Sequence, residues 1–257
     1  MLLAIDIGNS HTVIGVFDKS ELRHHWRIQT DRAHTSDEIT LILHGLLTMA
    51  NCPLSAITGV ALASVVPQLL RSWLTFARGL VAEPLVVDAA TPTGIRLRVD
   101  TPAEVGADRI VNAVAGFDRY RQALIIVDFG TAITFDCVSE QGDYLGGAIA
   151  PGMAIAIEAL GAKTAKLPRV DLNILSPPVI GTNTVAAIQS GILYGYGGLV
   201  EGLLQRLQGQ FAPLTAVVLA TGGMAQLIAP YAPSLTHIEP HLTLEGLRLI
   251  HAQNRRP

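Results

Sequence analysis

The 257-residue chain has 15% charged residues and a net charge of −3, so it offers no basic field for a phosphate backbone, and nucleic acid is excluded as a main partner. Its two cysteines, Cys52 and Cys137, make neither a disulfide framework nor a zinc site, which fits a reducing cytoplasmic setting. Hydrophobic residues reach 49%, yet the longest apolar run is broken by Pro151 and Glu158, and none attains the roughly 18–20 clean residues of a membrane span.

In chain order, residues 2–7 and 12–17 read as short strands around "GNSH", a hairpin signal. No basic segment precedes the first run and Asp6 interrupts it, so it does not read as an export signal. A third strand, "LRHHWRIQT", follows. The segment 36–50 carries Ile39, Ile42, Leu43, Leu46 and Leu47 at helical spacing, with Ser36 as the expected N-cap. Residues 57–66 predict a buried strand, Pro67 a helix through Leu70 and Leu74, and residues 84–88 a further strand.

After "TPTG", Thr101, Pro102 and Glu104 have capping-box spacing and predict a helix with Val105, Ile110, Val114 and Phe117 as its apolar stripe. Strands are expected at 123–128, 132–138 and 143–150, and helices at 152–164 and 184–207. "TAVVLATGG" is a last strand entering a Gly-Gly turn, and "EGLRLIHAQ" a closing helix. The terminal pair Arg255 and Arg256 reads as a solvated tail.

The order of strand, hairpin, strand and then alternating helices and strands occurs twice. Asp6 and Asp128 head equivalent hairpins, so the simplest reading is a duplicated α/β unit with a cleft between halves 1–100 and 101–257.

No phosphate-binding P-loop, dinucleotide fingerprint, metalloprotease pair or nucleophile elbow is present, and the eight histidines are scattered. The D-x-G hairpins carry the chemical signal. Glycine allows close backbone approach, and Ser10, Thr12, Thr131 and Thr134 supply hydroxyl donors, so each turn is suited to an anion such as phosphate. A carboxylate beside a phosphate repels it unless a cation lies between them, which gives Asp6 and Asp128 a role as cation partners. The alternative is an Asx-type turn in which each acid only bonds turn amides.

In "EVGADRIVNAVAG", Asp108 and Asn112 fall on one helix face, expected opposite the apolar stripe. Gly106 marks a close approach. Asp108 and Arg109 read either as dipole compensation with a surface ion pair, or as a base for a substrate hydroxyl and a cation for anionic oxygen. Gly222 and Gly223 suit either a nucleotide base or tight strand-helix packing. Thr182 to Thr184 are N-cap candidates, and the glycines at 191, 195, 197, 198 and 202 suit a dimer seam or an inter-domain contact.

Together, "DIGNSHTVIGVF", "GADRIVNA", "DFGTAITFD", "GGAIAPGM" and "GTNTVAAIQSGI" resemble, in order and spacing, the type III pantothenate kinase family of the actin-like ATPase group. The resemblance implies a duplicated actin-like ATPase (ribonuclease H-like) α/β fold, two similar domains around a nucleotide cleft. It implies ATP-dependent phosphorylation of pantothenate by a cytoplasmic homodimer that needs Mg2+ and a monovalent cation, K+ or NH4+. By position, Asp6, Ile7, Gly8, Asn9, Ser10, His11, Thr12 and Val13 form the first ATP loop, with Asp6 near magnesium through water. Asp108 accepts the pantothenate proton; Gly106, Ala107, Asp108, Arg109 and Thr184 line the substrate; Thr131 touches ATP and Asp128 holds the monovalent cation.

Two departures stand out. Val99, Asp100, Thr101 and Pro102 occupy the family's "Y-x-N-P", putting Val99 where a Tyr contacts pantothenate. Ser10 and His11 replace the commoner Thr-Asn. The competing readings are a non-catalytic transcriptional accessory factor of the same group and a kinase for another small hydroxylated substrate.

Overall fold

A computed structural model describes residues 1–164, 166–168, 170–172 and 176–255. It divides into two compact units, Met1–Arg119 with His241–Pro257, and Tyr120–Pro240.

In unit 1 the strands are β1 (Leu2–Ile7), β2 (His11–Asp18), β3 (Glu21–Gln29), β4 (Gly59–Ser64), β5 (Leu85–Val86) and β6 (Arg96–Leu97). The helices are α1 (Ser36–Met49), α2 (Pro67–Arg78), α3 (Ala107–Tyr120), whose last residue belongs to unit 2, and α7 (Leu242–Asn254). The sheet runs β3-β2-β1-β4-β5, antiparallel through the two hairpins and parallel from β1 to β4 to β5. Alternation along β1 decides what each face meets. Leu3, Ile5 and Ile7 join the core with Ile39 and Leu43 of α1 and Leu69 and Trp73 of α2. Leu2 and Ala4, with Ala61 and Ala63 of β4, pack under Val111 of α3 and Leu244, Leu247 and Ile250 of α7. Asp6 follows Ala4 on that second face.

Unit 2 contains β7 (Leu124–Phe129), β8 (Ala132–Val138), β9 (Asp143–Pro151), α4 (Met153–Lys163), α5 (Thr184–Gln210), β10 (Val217–Thr221), α6 (Ala225–Ile228) and β11 (His237–Ile238). Its strands follow β11-β10-β7-β8-β9, the order of unit 1 repeated with the same parallel and antiparallel pairings. Even the irregularity recurs, with a register shift at Val16/Phe17 and another at Cys137/Val138. Ile125, Val127 and Phe129 face a core shared with Leu193, Val200 and Leu204 of α5, which leaves Asp128 on the opposite face. The expected duplication is therefore present in strand order. The compact units do not coincide with sequence halves, because α3 and α7 pack on the first sheet.

Several local expectations change. The N-cap of α1 is Thr35, not Ser36: its hydroxyl accepts from Glu38 N–H and the Glu38 carboxylate accepts from Thr35 N–H, a full capping box. Residues 102–104 form only a 3₁₀ turn with no side-chain cap at Thr101, and α3 begins at Ala107. The strand expected over 84–88 pairs only at Leu85 and Val86. Arg255 donates to the Thr58 carbonyl at 2.8 Å, so it is tied to unit 1 rather than a solvated tail; Arg256 lies outside the described residues.

Candidate active site

The first hairpin turns through residues 8–11. Ile7 pairs with Thr12 and Asp6 with Val13, and Gly8 N–H donates to the His11 carbonyl at 3.1 Å. Asn9, Ser10 and His11 are exposed, and Arg32 reaches Asn9 Oδ1 at 3.4 Å. Partial desolvation of its ring, then the Arg27 charge, lowers the His11 pKa below the ordinary histidine value.

Thr12 corrects one expectation. It is 1% exposed, and its hydroxyl lies 3.0 Å from that of Thr30. The Thr30 proton goes to the Gly8 carbonyl at 2.8 Å, so Thr12 must donate to Thr30. Thr30 N–H also closes on the Ser10 carbonyl at 3.0 Å. Thr12 therefore braces the loop, and its proton is not available to a phosphate.

Asp108 sits in the first turn of α3, half-buried, with Oδ1 accepting from Arg109 N–H at 2.8 Å. A β-carbon at Gly106 would stand 2.5 Å from Asp108 Oδ1, so the glycine keeps space for the carboxylate in this orientation. An acid in a first helical turn is favoured by the macrodipole. Asn112 does not share an open face with Asp108. It is 1% exposed and accepts from the Thr243 hydroxyl at 2.8 Å, because α7 covers that side of α3. Val99 is half-buried beyond β6.

The second hairpin is one residue tighter. Phe129 pairs with Ile133 and Asp128 with Thr134, leaving residues 130–132 as the turn, closed by Gly130 N–H to the Ala132 carbonyl at 3.0 Å. The Thr131 carbonyl accepts from Gly152 N–H at 3.0 Å just ahead of α4. Thr134 resembles Thr12 in donating inward, to Asp136 Oδ2 at 3.1 Å. Gly222, at φ +89°, ends β10 against this hairpin: a β-carbon would strike Asp128 Oδ1 and lie 2.6 Å from Phe129 N. The close approach at Gly222 is thus to the neighbouring strand β7 rather than the strand-helix packing expected for the Gly-Gly turn. At α5 the N-cap is Asn183, whose Oδ1 accepts from Ala186 N–H at 2.9 Å, and Thr184 is the exposed residue after it.

Unit 1 thus holds Asp6, the first loop and the start of α3, with Asp6 on the sheet face that α3 covers, while unit 2 holds Asp128, Thr131 and Thr184. No group of three or more His, Cys, Asp or Glu able to hold a metal occurs among the described residues. A single carboxylate suits a hard cation that keeps part of its hydration shell instead. Two concavities of about 520 and 420 Å³ beside β3 and the end of α1 contain none of the expected site residues. Thr221 and Asp136 were not singled out from sequence; aligning β4 with β10 through their partners β1 and β7 would have found Thr221.

Residues 2–206 match the family model for type III pantothenate kinase. A type III pantothenate kinase from Moorella thermoacetica is 50% identical over 257 residues, covering 99% of this chain and 100% of the relative. One from Geobacter sp. strain M21 is 48% identical over 256 residues, with 99% and 100% covered. Among solved structures, a conserved Baf family protein from Campylobacter jejuni superposes with a TM-score of 0.63 at 19% identity, covering 98% of each chain. At that identity it speaks for the fold alone.

Proposed function

The chain belongs to the type III pantothenate kinase family, and on that premise we propose how its residues divide the work. The protein is a kinase of the duplicated actin-like ATPase fold that phosphorylates pantothenate with ATP, a step of coenzyme A biosynthesis. The residue roles that follow are our reading.

Asp108 is the proton acceptor for the pantothenate hydroxyl. The observation that carries this is its seat at the start of α3: Gly106 makes room for the carboxylate, and Arg109 N–H donates to Oδ1 and orients it. Phosphoryl transfer through a loose transition state asks little of the base beyond position. Gly106, Ala107 and Arg109 line the substrate with Val99 and Thr184, and the Arg109 guanidinium suits the pantothenate carboxylate.

Asp6, Ile7, Gly8, Asn9, Ser10, His11, Thr12 and Val13 make up the first ATP loop, with exposed backbone and side chains at 9–11 meeting phosphate and Thr12 keeping the loop's shape. Thr131 is an ATP contact. Asp6 fits magnesium held through water, since magnesium keeps most of its hydration shell and needs only one or two carboxylates. When bound with ATP, magnesium neutralises charge on the transferring phosphoryl oxygens. Asp128 is the monovalent-cation ligand.

The active form is a cytoplasmic homodimer in this reading. Support comes from α5: β-carbons built on Gly191, Gly195 and Gly198 meet nothing within 4 Å, whereas Gly197 on the other side is filled by Tyr231. The sequence halves 1–100 and 101–257 remain the proposed units of the duplication.

The test is ADP release from ATP, magnesium and pantothenate in potassium buffer, with a panel of other small alcohols beside it. Pantothenate should turn over best, sodium in place of potassium should slow it, and Asp108→Asn should fold normally and lose about 10²–10⁴ in kcat. Full activity in Asp108→Asn would return that residue to the role of a helix-start charge.

A further inference from the structure

The acids heading the two hairpins are equivalent in topology and different in surroundings, and we propose that Thr221 and Thr134 are hydroxyl ligands that make the Asp128 position a dehydrating site for a monovalent cation, with Asp136 as a positioning residue. This rests on the reading of Asp128 as a monovalent-cation ligand and adds what completes that site.

In unit 1, Asp6 stands in a row between Ala63 of β4 and Val13 of β2. In unit 2 the corresponding row is Thr221 of β10, Asp128 of β7 and Thr134 of β8. Side chains in one row point to the same face with β-carbons about 5 Å apart. Asp6 therefore has methyl groups on either hand, and Asp128 has hydroxyls.

The two hydroxyls are prepared in different ways. Thr134 commits its proton to Asp136 Oδ2 at 3.1 Å, so its lone pairs are what it can offer elsewhere. Asp136 is wholly buried and also accepts from the Tyr144 hydroxyl at 2.8 Å, which fixes the carboxylate that orients Thr134. Thr221 is buried, 2% exposed, directly beside Asp128 in this row. Its hydroxyl is placed to add a neutral oxygen to a cation held beside Asp128. Gly222, packed on the Asp128 carboxylate, holds the end of β10 in that place.

The chemistry separates the two acids. Magnesium gives up water reluctantly and binds well to one carboxylate through its shell, which the apolar row at Asp6 permits. A potassium-like ion exchanges its shell for several neutral oxygens, which the row at Asp128 supplies.

The test is thermal melting of the whole protein without nucleotide or pantothenate, in choline chloride titrated with KCl or NaCl. Wild type should be stabilised by potassium more than by sodium. Thr221→Val and Thr134→Val should each raise half-saturating potassium tenfold or more and shrink the difference between the ions, while Thr221→Ser should behave like wild type. In choline chloride alone Thr221→Val, which keeps the side chain's shape, should melt close to wild type, so a lost potassium response there is not misfolding. Asp136→Asn should weaken potassium binding while Thr134 is intact and add nothing in a Thr134→Val background. An unchanged potassium response in Thr221→Val and Thr134→Val overturns the assignment and leaves Asp128 standing as the ligand. A wild type indifferent to potassium overturns the Asp128 reading itself.

Discussion

One chemical change, Gly→Ala, should act with opposite sign at two positions. At Gly222 the backbone lies at φ +89°, where an L side chain costs about 1–2 kcal/mol. The new methyl would also meet Asp128 Oδ1 and stand 2.6 Å from Phe129 N and 2.7 Å from Phe129 C. Two of those three are backbone atoms inside β7, which cannot swing aside as a flexible side chain would, so overpacking adds about 1–3 kcal/mol. The sum, about 2–5 kcal/mol, corresponds to a melting temperature lower by about 5–15 °C at this chain length. Gly45 is the control. It lies inside α1 with nothing within 4 Å of a β-carbon, so Gly45→Ala should gain about 0.5–1 kcal/mol from helix propensity alone. Differential scanning calorimetry on both variants decides the matter. A Gly222→Ala protein melting within about 2 °C of wild type would refute the claim that Gly222 is wedged against β7.

Acid should find a weak point at His251. Burial, then the Arg255 charge, lowers its pKa to about 4, and its Nε2 is buried without a partner beside Gly59. The folded value is below the unfolded one of about 6.5, so this contribution is complete above that pH and is lost as pH falls toward 4. Allowing for solvent screening of a half-buried ring, it amounts to about 1–2 kcal/mol; melts of His251→Ala should lose less stability than wild type between pH 7 and 4.5, and parallel profiles would refute this. At α5, Gly195→Leu should shift the protein from dimer to monomer in analytical ultracentrifugation without lowering its monomer melting temperature, and an unchanged sedimentation coefficient would remove α5 from the interface.

The hairpins at Asp6 and Asp128 were legible in sequence because everything that makes them is local: an apolar run, an acid, a glycine, and a return strand within a dozen residues. The family resemblance was legible for the same reason, since its motifs are contiguous. Caps and helix starts were less so. Ser36 and Thr35 both fit an N-cap, and only the reciprocal bonds with Glu38 chose Thr35; the capping-box spacing at Thr101 became a 3₁₀ turn because α3 starts after Gly106.

What sequence could not decide is what stands beside each acid. Ala63 and Thr221 reach Asp6 and Asp128 through parallel pairing with strands far along the chain, and a one-residue change of register would put other side chains there. The burial of Asn112 depends in the same way on α7, which closes over α3 from the far end of the chain. Thr12 and Thr134 looked like donors to a phosphate until Thr30 and Asp136 took their protons. The residues by themselves determined that two carboxylates recur in matched turns. Only the tertiary structure decided that one has methyl neighbours and the other hydroxyls, because strand pairing brings distant side chains into one row.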